Sequence, residues 1–330
     1  MQYETIQKLV RASGVSAGEL ILVHFWGDDA DKDTANWFMV AVAAQGASPV
    51  LLQQSRQINR AIFSAAGEGS FNERYFQWLE GFDAVLDVFA YQPVVPGGRL
   101  EEGAMARYRS YMARLFNKLM ACKRFTQIRI PTEANAAESG LEAGDFKRRM
   151  EQAYDIDYDA LQAACRRELA HWAGAEQVAI RTGEGCVLRL ELTGRTWHMD
   201  AGDGDLPCGE VYIAPVEDKT NGSVFFETFF LEGKRYENVT LEVTEGEVCG
   251  SSHGEIAAHF AGLPRAERMV CELGLGLNPH VTELCGYTVL DEKMAGTFHI
   301  AVGANHMFGG GNEAEDHTDF VGRGVVERVE

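Results

Sequence analysis

Histidines and a carboxylate recur at short spacing near the C-terminus. The segment 296–322, "GTFHIAVGANHMFGGGNEAEDHTDFVG", contains His299, His306 and His317, and Asp319 follows His317 by two positions. Residues two apart on a β-strand project to the same side, so His317 and Asp319 together could hold one cation. If the first part of the segment is a strand, His299 points away from its apolar neighbours. The segment is therefore a candidate metal site.

Two glutamates lie in apolar, glycine-containing runs. Glu272 is part of "MVCELGLGLNP" (269–279), and Glu210 is part of "DLPCGEVYIAPV" (205–216). Burying a carboxylate among apolar residues is costly unless it is ion-paired or binds a metal. With the histidine segment, this gives three carboxylates and two histidines, a set that fits divalent metals with nitrogen and oxygen ligands. Two metals sharing such a set are a usual arrangement for hydrolysing an amide.

Each of these residues also has a simpler interpretation. A single histidine on a strand is more often structural than a ligand, and an H-x-D pair alone is a weak signal. Either glutamate, taken singly, could be a solvated carboxylate at the edge of a strand. The metal hypothesis therefore depends on the combination.

The charge balance excludes several classes of partner. The 330 residues include 30 basic and 49 acidic side chains, for a formal net charge of −19. Nucleic acids and anionic membrane surfaces both require clustered lysine and arginine, so neither is expected as a partner. No apolar run is long enough to span a bilayer. The seven cysteines are widely spaced and form no C-x-x-C motif, which favours reduced thiols in a cytoplasmic protein.

The first half of the chain alternates strand and helix patterns. Apolar runs predict strands at 18–27, 47–55, 82–91 and 125–131, and helices are predicted at 31–46, 106–124 and 145–174. Such a run of βαβ units predicts a parallel sheet with helices on both faces. No G-x-G-x-x-G motif follows the first strand, so a dinucleotide site is not expected.

After about residue 175 the pattern changes to short β-rich runs separated by glycine turns. We therefore predict an α/β protein of two domains. An N-terminal α/β domain with a parallel sheet covers residues 1–174. A mainly antiparallel β domain covers residues 175–330 and carries the metal site.

Four sequence blocks occur in a fixed order: "LPCGEVYIAP", "ELGLGLNP", "DEKMAGTFHIAVG" and "HTD". Together they resemble the signature blocks of the M29 metallo-aminopeptidases, the thermophilic AmpS/PepS type, of which the chain looks like a short, divergent member. The resemblance is specific from residue 206 onward and covers the first half only in architecture. It implies metal ligands at Glu210, Glu272, His299, His317 and Asp319, the same residues that the strand patterns and the apolar surroundings of the glutamates indicate.

The resemblance also implies a function. Enzymes of this type release N-terminal residues from peptides, and this chain is expected to act on a peptide or a related small amide with a free amine. Two divalent ions (zinc, cobalt or manganese) would activate the water, and Glu272 would pass a proton to the leaving amine. Glu292, in the "DEK" of the third block, would orient a ligand or contact the substrate amine. A homodimer in the cytoplasm is expected.

One position departs from the family pattern. The family's catalytic tyrosine is expected seven residues after the strand histidine, where this chain has His306. A histidine can donate a hydrogen bond or a proton near neutral pH, so His306 is expected to replace the phenol in stabilising a tetrahedral intermediate. Other interpretations are a sixth metal ligand or a change in the chemistry, and a loop histidine without a catalytic role is the simplest alternative.

Two other functions remain open from the sequence. A mononuclear non-haem iron, ring-cleaving dioxygenase of the dihydroxypyridine dioxygenase type is the first, since that branch of the fold also ends in H-x-D and uses two histidines and one carboxylate. It is expected to have a histidine where this chain has Glu272, so Glu210 and Glu272 favour the hydrolase. The second is a protein that binds metal without turnover, which the change at His306 suggests.

Overall fold

The computed structural model describes residues 1–93 and 100–329. Its contacts divide the chain into two compact units: unit 1 is Met1–Asp155 with Gly202–Pro207, and unit 2 is Ile156–Ala201 with Cys208–Glu330. The sequence pattern had suggested a division at residue 174, whereas the structure divides the chain at 155. The reason is that the helix Tyr158–Trp172 packs against strands of unit 2, where Trp172 is part of the hydrophobic core.

In chain order, the strands are β1 (Leu20–Trp26), β2 (Ser48–Gln54), β3 (Ala84–Phe89), β4 (Arg124–Arg129), β5 (Gln177–Arg181), β6 (Val187–Glu191), β7 (His198–Asp200), β8 (Asp205–Leu206), β9 (Glu210–Ile213), β10 (Asn221–Leu231), β11 (Lys234–Thr244), β12 (Glu247–Ser251), β13 (Val270–Gly276), β14 (Phe298–Gly303), β15 (His317–Gly322) and β16 (Val325–Arg328). The α-helices are α1 (Tyr3–Ala12), α2 (Lys32–Ala44), α3 (Arg56–Ala65), α4 (Glu73–Gln77), α5 (Glu102–Met120), α6 (Glu133–Glu138), α7 (Ala143–Tyr154), α8 (Tyr158–Trp172), α9 (Gly254–Gly262) and α10 (Thr288–Asp291). Within the described residues, none of these helices combines the length and the apolar character that crossing a membrane requires.

Unit 1 contains a parallel sheet, sheet A, with the strand order β2-β1-β3-β4-β8. Strand β3 is buried along its whole length, as expected for the centre of a parallel sheet that is covered on both faces. Leu22 and Val85 pack against Phe63, Tyr108 and Leu115 of the helices α3 and α5. The predicted βαβ architecture of the first half is therefore confirmed.

Unit 2 contains two antiparallel sheets. Sheet B has the strand order β12-β11-β10-β6-β5-β16, and sheet C has the order β15-β14-β13-β9-β7. Long hairpin strands such as β10 and β11 pair over most of their length, because aromatic and β-branched residues alternate along them. The prediction of a mainly antiparallel second half is confirmed.

The two faces of sheet C differ completely in chemistry. Leu273, Ile300 and Phe320 lie opposite one another on β13, β14 and β15, and they pack into one hydrophobic core with Phe226 and Val224 of sheet B. Side chains alternate along a strand, so the residues between them project to the other face. The apolar core thus fixes which residues of sheet C face away from it.

Replacing Ile300 by alanine should lower the free energy of unfolding by about 2–5 kcal/mol, because it leaves a cavity under the centre of sheet C. Chemical denaturation followed by fluorescence measures the change. Val325→Ala is the matched control, since Val325 lies on a strand but is 62% exposed, and it should change stability by less than about 0.5 kcal/mol. Equal losses in the two variants would contradict the assigned core face.

Candidate metal centre

Strand register places the predicted ligands on one face of sheet C. Asp319 lies opposite Ala301, which lies opposite Glu272, and His299 lies opposite Gly274. Residues that lie opposite each other project to the same face. We call this the polar face of sheet C; it carries Asp200, Glu210, Tyr212, Glu272, His299, His317 and Asp319.

A β-bulge in β13 places Val270 and Glu272 on opposite faces of the sheet. Val270 pairs with Val302, but Glu272 pairs with Ala301, so the register shifts by one residue between them. Without that shift, Val270 and Glu272 would be two apart in a regular strand and would share a face. The bulge lets Val270 enter the hydrophobic core while Glu272 faces the other way.

Glu272 lies between the two imidazoles. Its Oε1 is 3.2 Å from Nε2 of His299, and its Oε2 is 3.4 Å from Nε2 of His317. Nε2 of His317 is also 3.4 Å from Oδ1 of Asp319. One ligand atom each from Glu272, His317 and Asp319 lies within 4.8 Å of the others. Such a set of oxygen and nitrogen atoms can bind a divalent ion.

The backbone holds His317 in a ligand orientation. Its Nδ1 lies 2.7 Å from the carbonyl oxygen of Ala304 and donates to it, so Nε2 faces Glu272 and Asp319. Burial opposes charge on both His317 and Asp319, but their hydrogen bond outweighs it, raising the pKa of His317 and lowering that of Asp319. Without metal, His317 therefore carries a proton at Nε2 that a cation would replace.

A buried lysine binds three carboxylates beside this group. Nζ of Lys293 lies 2.5 Å from Oε1 of Glu210, 2.7 Å from Oε1 of Glu292 and 3.9 Å from Oδ2 of Asp200. The lysine side chain is only 1% exposed, and lysine is almost never buried unless it is paired. Lys293 thus supplies a fixed positive charge on the Glu210 side of the cluster.

Two glycines of β13 make room on the polar face. A Cβ at Gly274 would lie 2.0 Å from Nε2 of His299, and a Cβ at Gly276 would lie 2.2 Å from the carbonyl oxygen of Met294. The alternation in "ELGLGL" thus has a structural reason: leucines face the core, and glycines let the His299 ring and the segment that carries Lys293 approach the sheet.

Burial and charge shift the pKa values of the cluster in opposite directions. Burial raises the pKa of Glu210 to about 7, and that of Glu292 to about 8, although Lys293 lowers both. Burial opposes protonation of His299, but its hydrogen bond to Glu272 and the charge of Glu210 outweigh this and raise its pKa to about 9. The metal-free cluster therefore binds protons that a metal would displace.

The charge balance of the cluster fits bound cations. Five carboxylates face one ammonium, a surplus of four negative charges when the imidazoles are neutral; the carboxylates belong to Asp200, Glu210, Glu272, Glu292 and Asp319. Oε2 of Glu210 and Nδ1 of His299 are buried and have no hydrogen-bond partner among the described residues. Oε2 of Glu210 lies 3.4 Å from Nε2 of His299, but a surplus of buried negative charge is still unfavourable, and bound cations would offset it.

Two sequence-predicted catalytic residues lie outside this ligand group. Glu292 contacts it through Lys293. His306 is exposed and begins the short 3-10 helix His306–Phe308. The base of this helix is fixed by Asn305, whose Nδ2 donates to the carbonyl of Cys271 at 3.1 Å. The catalytic roles predicted for Glu272, Glu292 and His306 stay predictions.

Three residues of the polar region had no assigned role in the sequence. Lys293 and Asp200 were missed because their contacts depend on tertiary structure. Tyr212 carried a signal, since it follows Glu210 by two positions and so shares its face. The Tyr212 ring stacks on His198 at 5.4 Å and meets the edge of Phe308 at 5.5 Å. Burial and the charges of Glu210 and Glu272 raise its pKa, so the phenol stays protonated.

The stability of the metal-free protein should decrease as the pH rises. The folded-state pKa values of Glu210 (about 7) and His299 (about 9) lie above their ordinary values of 4.5 and 6.5. The folded protein therefore holds more protons than the unfolded chain, and this stabilisation, complete below each ordinary value, is lost as the pH passes each folded value.

The Tm of chelator-treated protein should accordingly fall between ~pH 5 and ~pH 9, measured by circular dichroism. Metal-loaded protein should show a smaller fall, since the metal replaces the protons. Glu210→Gln should flatten the lower part of the curve in the chelated protein. A chelated Tm that rises over this range would contradict the prediction.

Comparisons with known proteins bear on this geometry. A structure of wild-type AmpT from Thermus thermophilus is similar, with a TM-score of 0.68 and 19% identity over 99% of this chain and 98% of that one. A structure of 2,5-dihydroxypyridine dioxygenase from Pseudomonas putida KT2440 is also similar, with a TM-score of 0.66 and 15% identity over 99% of this chain and 93% of that one. At these identities the likeness shows a shared fold.

The sequence comparisons are more specific. No curated protein sequence gives a match. The family model described as thermophilic metalloprotease (M29) matches residues 11–324. Since this match spans nearly the whole chain, the resemblance seen in the four sequence blocks is confirmed, and the chain belongs to the M29 family of thermophilic metalloproteases.

Proposed function

We propose that the protein is an aminopeptidase that releases N-terminal residues from peptides, or cleaves a related small amide with a free amine. One observation carries the proposal: on the polar face of sheet C, two imidazoles converge on Glu272 within a cluster that has surplus negative charge. Membership of the M29 family supports metal-dependent peptide hydrolysis. The homodimer and the cytoplasmic location stay predictions.

Five residues would hold two divalent ions (zinc, cobalt or manganese): Glu210, Glu272, His299, His317 and Asp319. Bound there, the ions would supply a water of lowered pKa and polarise the amide carbonyl. The Ala304 carbonyl keeps Nε2 of His317 turned toward the site. Lys293, held by Glu292, fixes the carboxylate of Glu210.

The protein has groups suited to the α-amine, the leaving amine and the oxyanion of a peptide substrate. A free α-amine is positively charged near neutral pH, so the chain's net charge of −19 favours its approach over that of an anion. Glu272, whose two oxygens face two imidazoles, is positioned to move a proton toward the leaving amine. The Tyr212 hydroxyl forms no hydrogen bond with the described residues and is available to donate to the developing oxyanion.

A mononuclear iron dioxygenase is the second candidate. Its support in the structure is that His299, His317 and Asp319 together provide two imidazoles and a carboxylate on the polar face of sheet C. Glu210 and Glu272 exceed what a facial triad requires. This favours the hydrolase, and the metal content of protein purified without chelator separates the two functions.

Glu272→Ala should abolish metal-dependent turnover of aminoacyl amides and reduce the bound metal, because it removes the carboxylate that both imidazoles contact. The measurements are metal equivalents per chain and hydrolysis rates. The fold should persist, since Glu272 faces away from the core. Glu227→Ala is the matched control, since Glu227 is an exposed glutamate of sheet B.

Two zinc, cobalt or manganese equivalents in the unaltered protein support the hydrolase, whereas a single iron supports the dioxygenase. Unchanged turnover in Glu272→Ala would rule out its assignment.

Tyr212→Phe should lower kcat by about a hundredfold with little change in KM, as expected when an oxyanion donor is lost. Initial rates over a substrate series separate the two constants. Tyr236→Phe, on sheet B, should leave both unchanged. His306→Ala tests the role predicted from sequence: a large loss of kcat there, with none in Tyr212→Phe, would assign oxyanion stabilisation to the histidine instead.

A further inference from the structure

Unit 1 contains a pocket that the metal centre does not use. Its volume is about 450 Å³, within the range of pockets that bind small organic molecules. One wall is the turn from Glu68 to Asn72, and the other is a face of helix α5. All of its lining residues belong to unit 1.

The helix wall is polar and basic. Arg107, Ser110, Tyr111 and Arg114 line the pocket, and their spacing of three, four and seven residues places them on one side of the helix. The backbone positions of Arg107 and Arg114 are therefore about two helical turns apart on the same side of the helix. The chain has a net charge of −19, so two arginines on one wall of a pocket are a local exception to its acidic character.

The two arginines differ in how far they are already neutralised. Arg114 donates to Oε2 of Glu73 at 2.6 Å and to the carbonyl of Phe71 at 3.2 Å, and it lies over the ring of Phe76. Arg107 forms no hydrogen bond or ion pair with the described residues, and its Nε is buried without a partner. Arg107 is only partly buried, and no ion pair joins its guanidinium to the described residues, so it is available to an anion in the pocket.

The rest of the lining limits the charge and shape of that anion. Glu68, the one carboxylate in the lining, disfavours a dianion, and Arg107 contributes a single uncompensated positive charge. Phe71 and Tyr111 form an aromatic wall, with ring centroids 4.7 Å apart. The Tyr111 hydroxyl donates to Oε1 of Gln54 at 3.0 Å. A ligand would therefore contact the ring of Tyr111 rather than its hydroxyl.

We propose that this pocket binds a small monocarboxylate that carries an apolar group. The carboxylate accepts two parallel hydrogen bonds from Arg107, the geometry that a guanidinium fork favours. Ser110 contributes a hydroxyl, and the apolar group packs against Phe71 and Tyr111. The site lies in unit 1 and does not depend on the proposed peptidase function.

Calorimetric titration of the full-length, metal-loaded protein tests the proposal with four probes. These are 3-phenylpropanoate, its neutral amide 3-phenylpropanamide, the blocked peptide N-acetyl-phenylalanyl-glycine, and inorganic phosphate. The first and third probes separate two sources of the same chemistry, a free aryl acid and the C-terminus of a peptide. Arg107→Gln is the test variant. Arg109→Gln is the matched control, since Arg109 is exposed on the same helix and does not line the pocket.

The expected result is that at least one carboxylate probe binds and that Arg107→Gln weakens its binding by about tenfold or more, whereas Arg109→Gln does not. Arg107→Lys should fall between the two, since it keeps the charge but loses the fork. Three results would overturn the proposal: no binding by either carboxylate, equal binding of the amide, or tighter binding of phosphate. Full binding in Arg107→Gln would overturn it too, because the carboxylates would then be held elsewhere, including at the metal centre.

Discussion

Repulsion among buried carboxylates is the constraint on which the polar face of sheet C depends. Two like charges about 4 Å apart repel by about 4 kcal/mol at the effective dielectric constant of a protein site, and the cluster contains five carboxylates. Lys293 offsets part of this repulsion through contacts with Glu210 and Glu292. Protonation of the imidazoles offsets more, at the cost of the lone pairs that a metal needs. The remaining negative charge would favour a bound cation.

A single sheet can carry such a cluster because its other face supplies stability independently. Ile300 directly follows His299, and Phe320 directly follows Asp319. Each apolar residue is buried on the face of sheet C opposite its polar neighbour. The strands that present the ligands are thus the strands that form the core, and the bulge before Glu272 reconciles the two requirements where they conflict. The same segment explains why glycine alternates with leucine: bulk is required on one face and excluded from the other.

The sequence alone was sufficient where function follows the two-residue period of a strand. The period selected His299, His317 and Asp319, and the apolar surroundings of Glu210 and Glu272 selected the two glutamates; the structure brings all five to one face. The sequence was insufficient where a contact joins residues that are far apart in the chain. Lys293 follows helix α10 and reaches Glu210 only because Gly276 lets its segment approach the sheet. The division at residue 155 was missed because a helical pattern does not reveal the unit on which the helix packs.

The ligands do not need a metal to reach their positions. The backbone pairing of β13, β14 and β15 fixes Glu272, His299 and Asp319, and a carbonyl oxygen orients His317. Asn305 links the loop before His317 to the bulge, since its side chain donates to Cys271 and accepts from the amide of Asn312. A metal bound by these residues would meet side chains that are already ordered. Without a metal, the charge repulsion would be relieved by proton uptake at the imidazoles and at the carboxylates of Glu210 and Glu292, whose pKa values are raised.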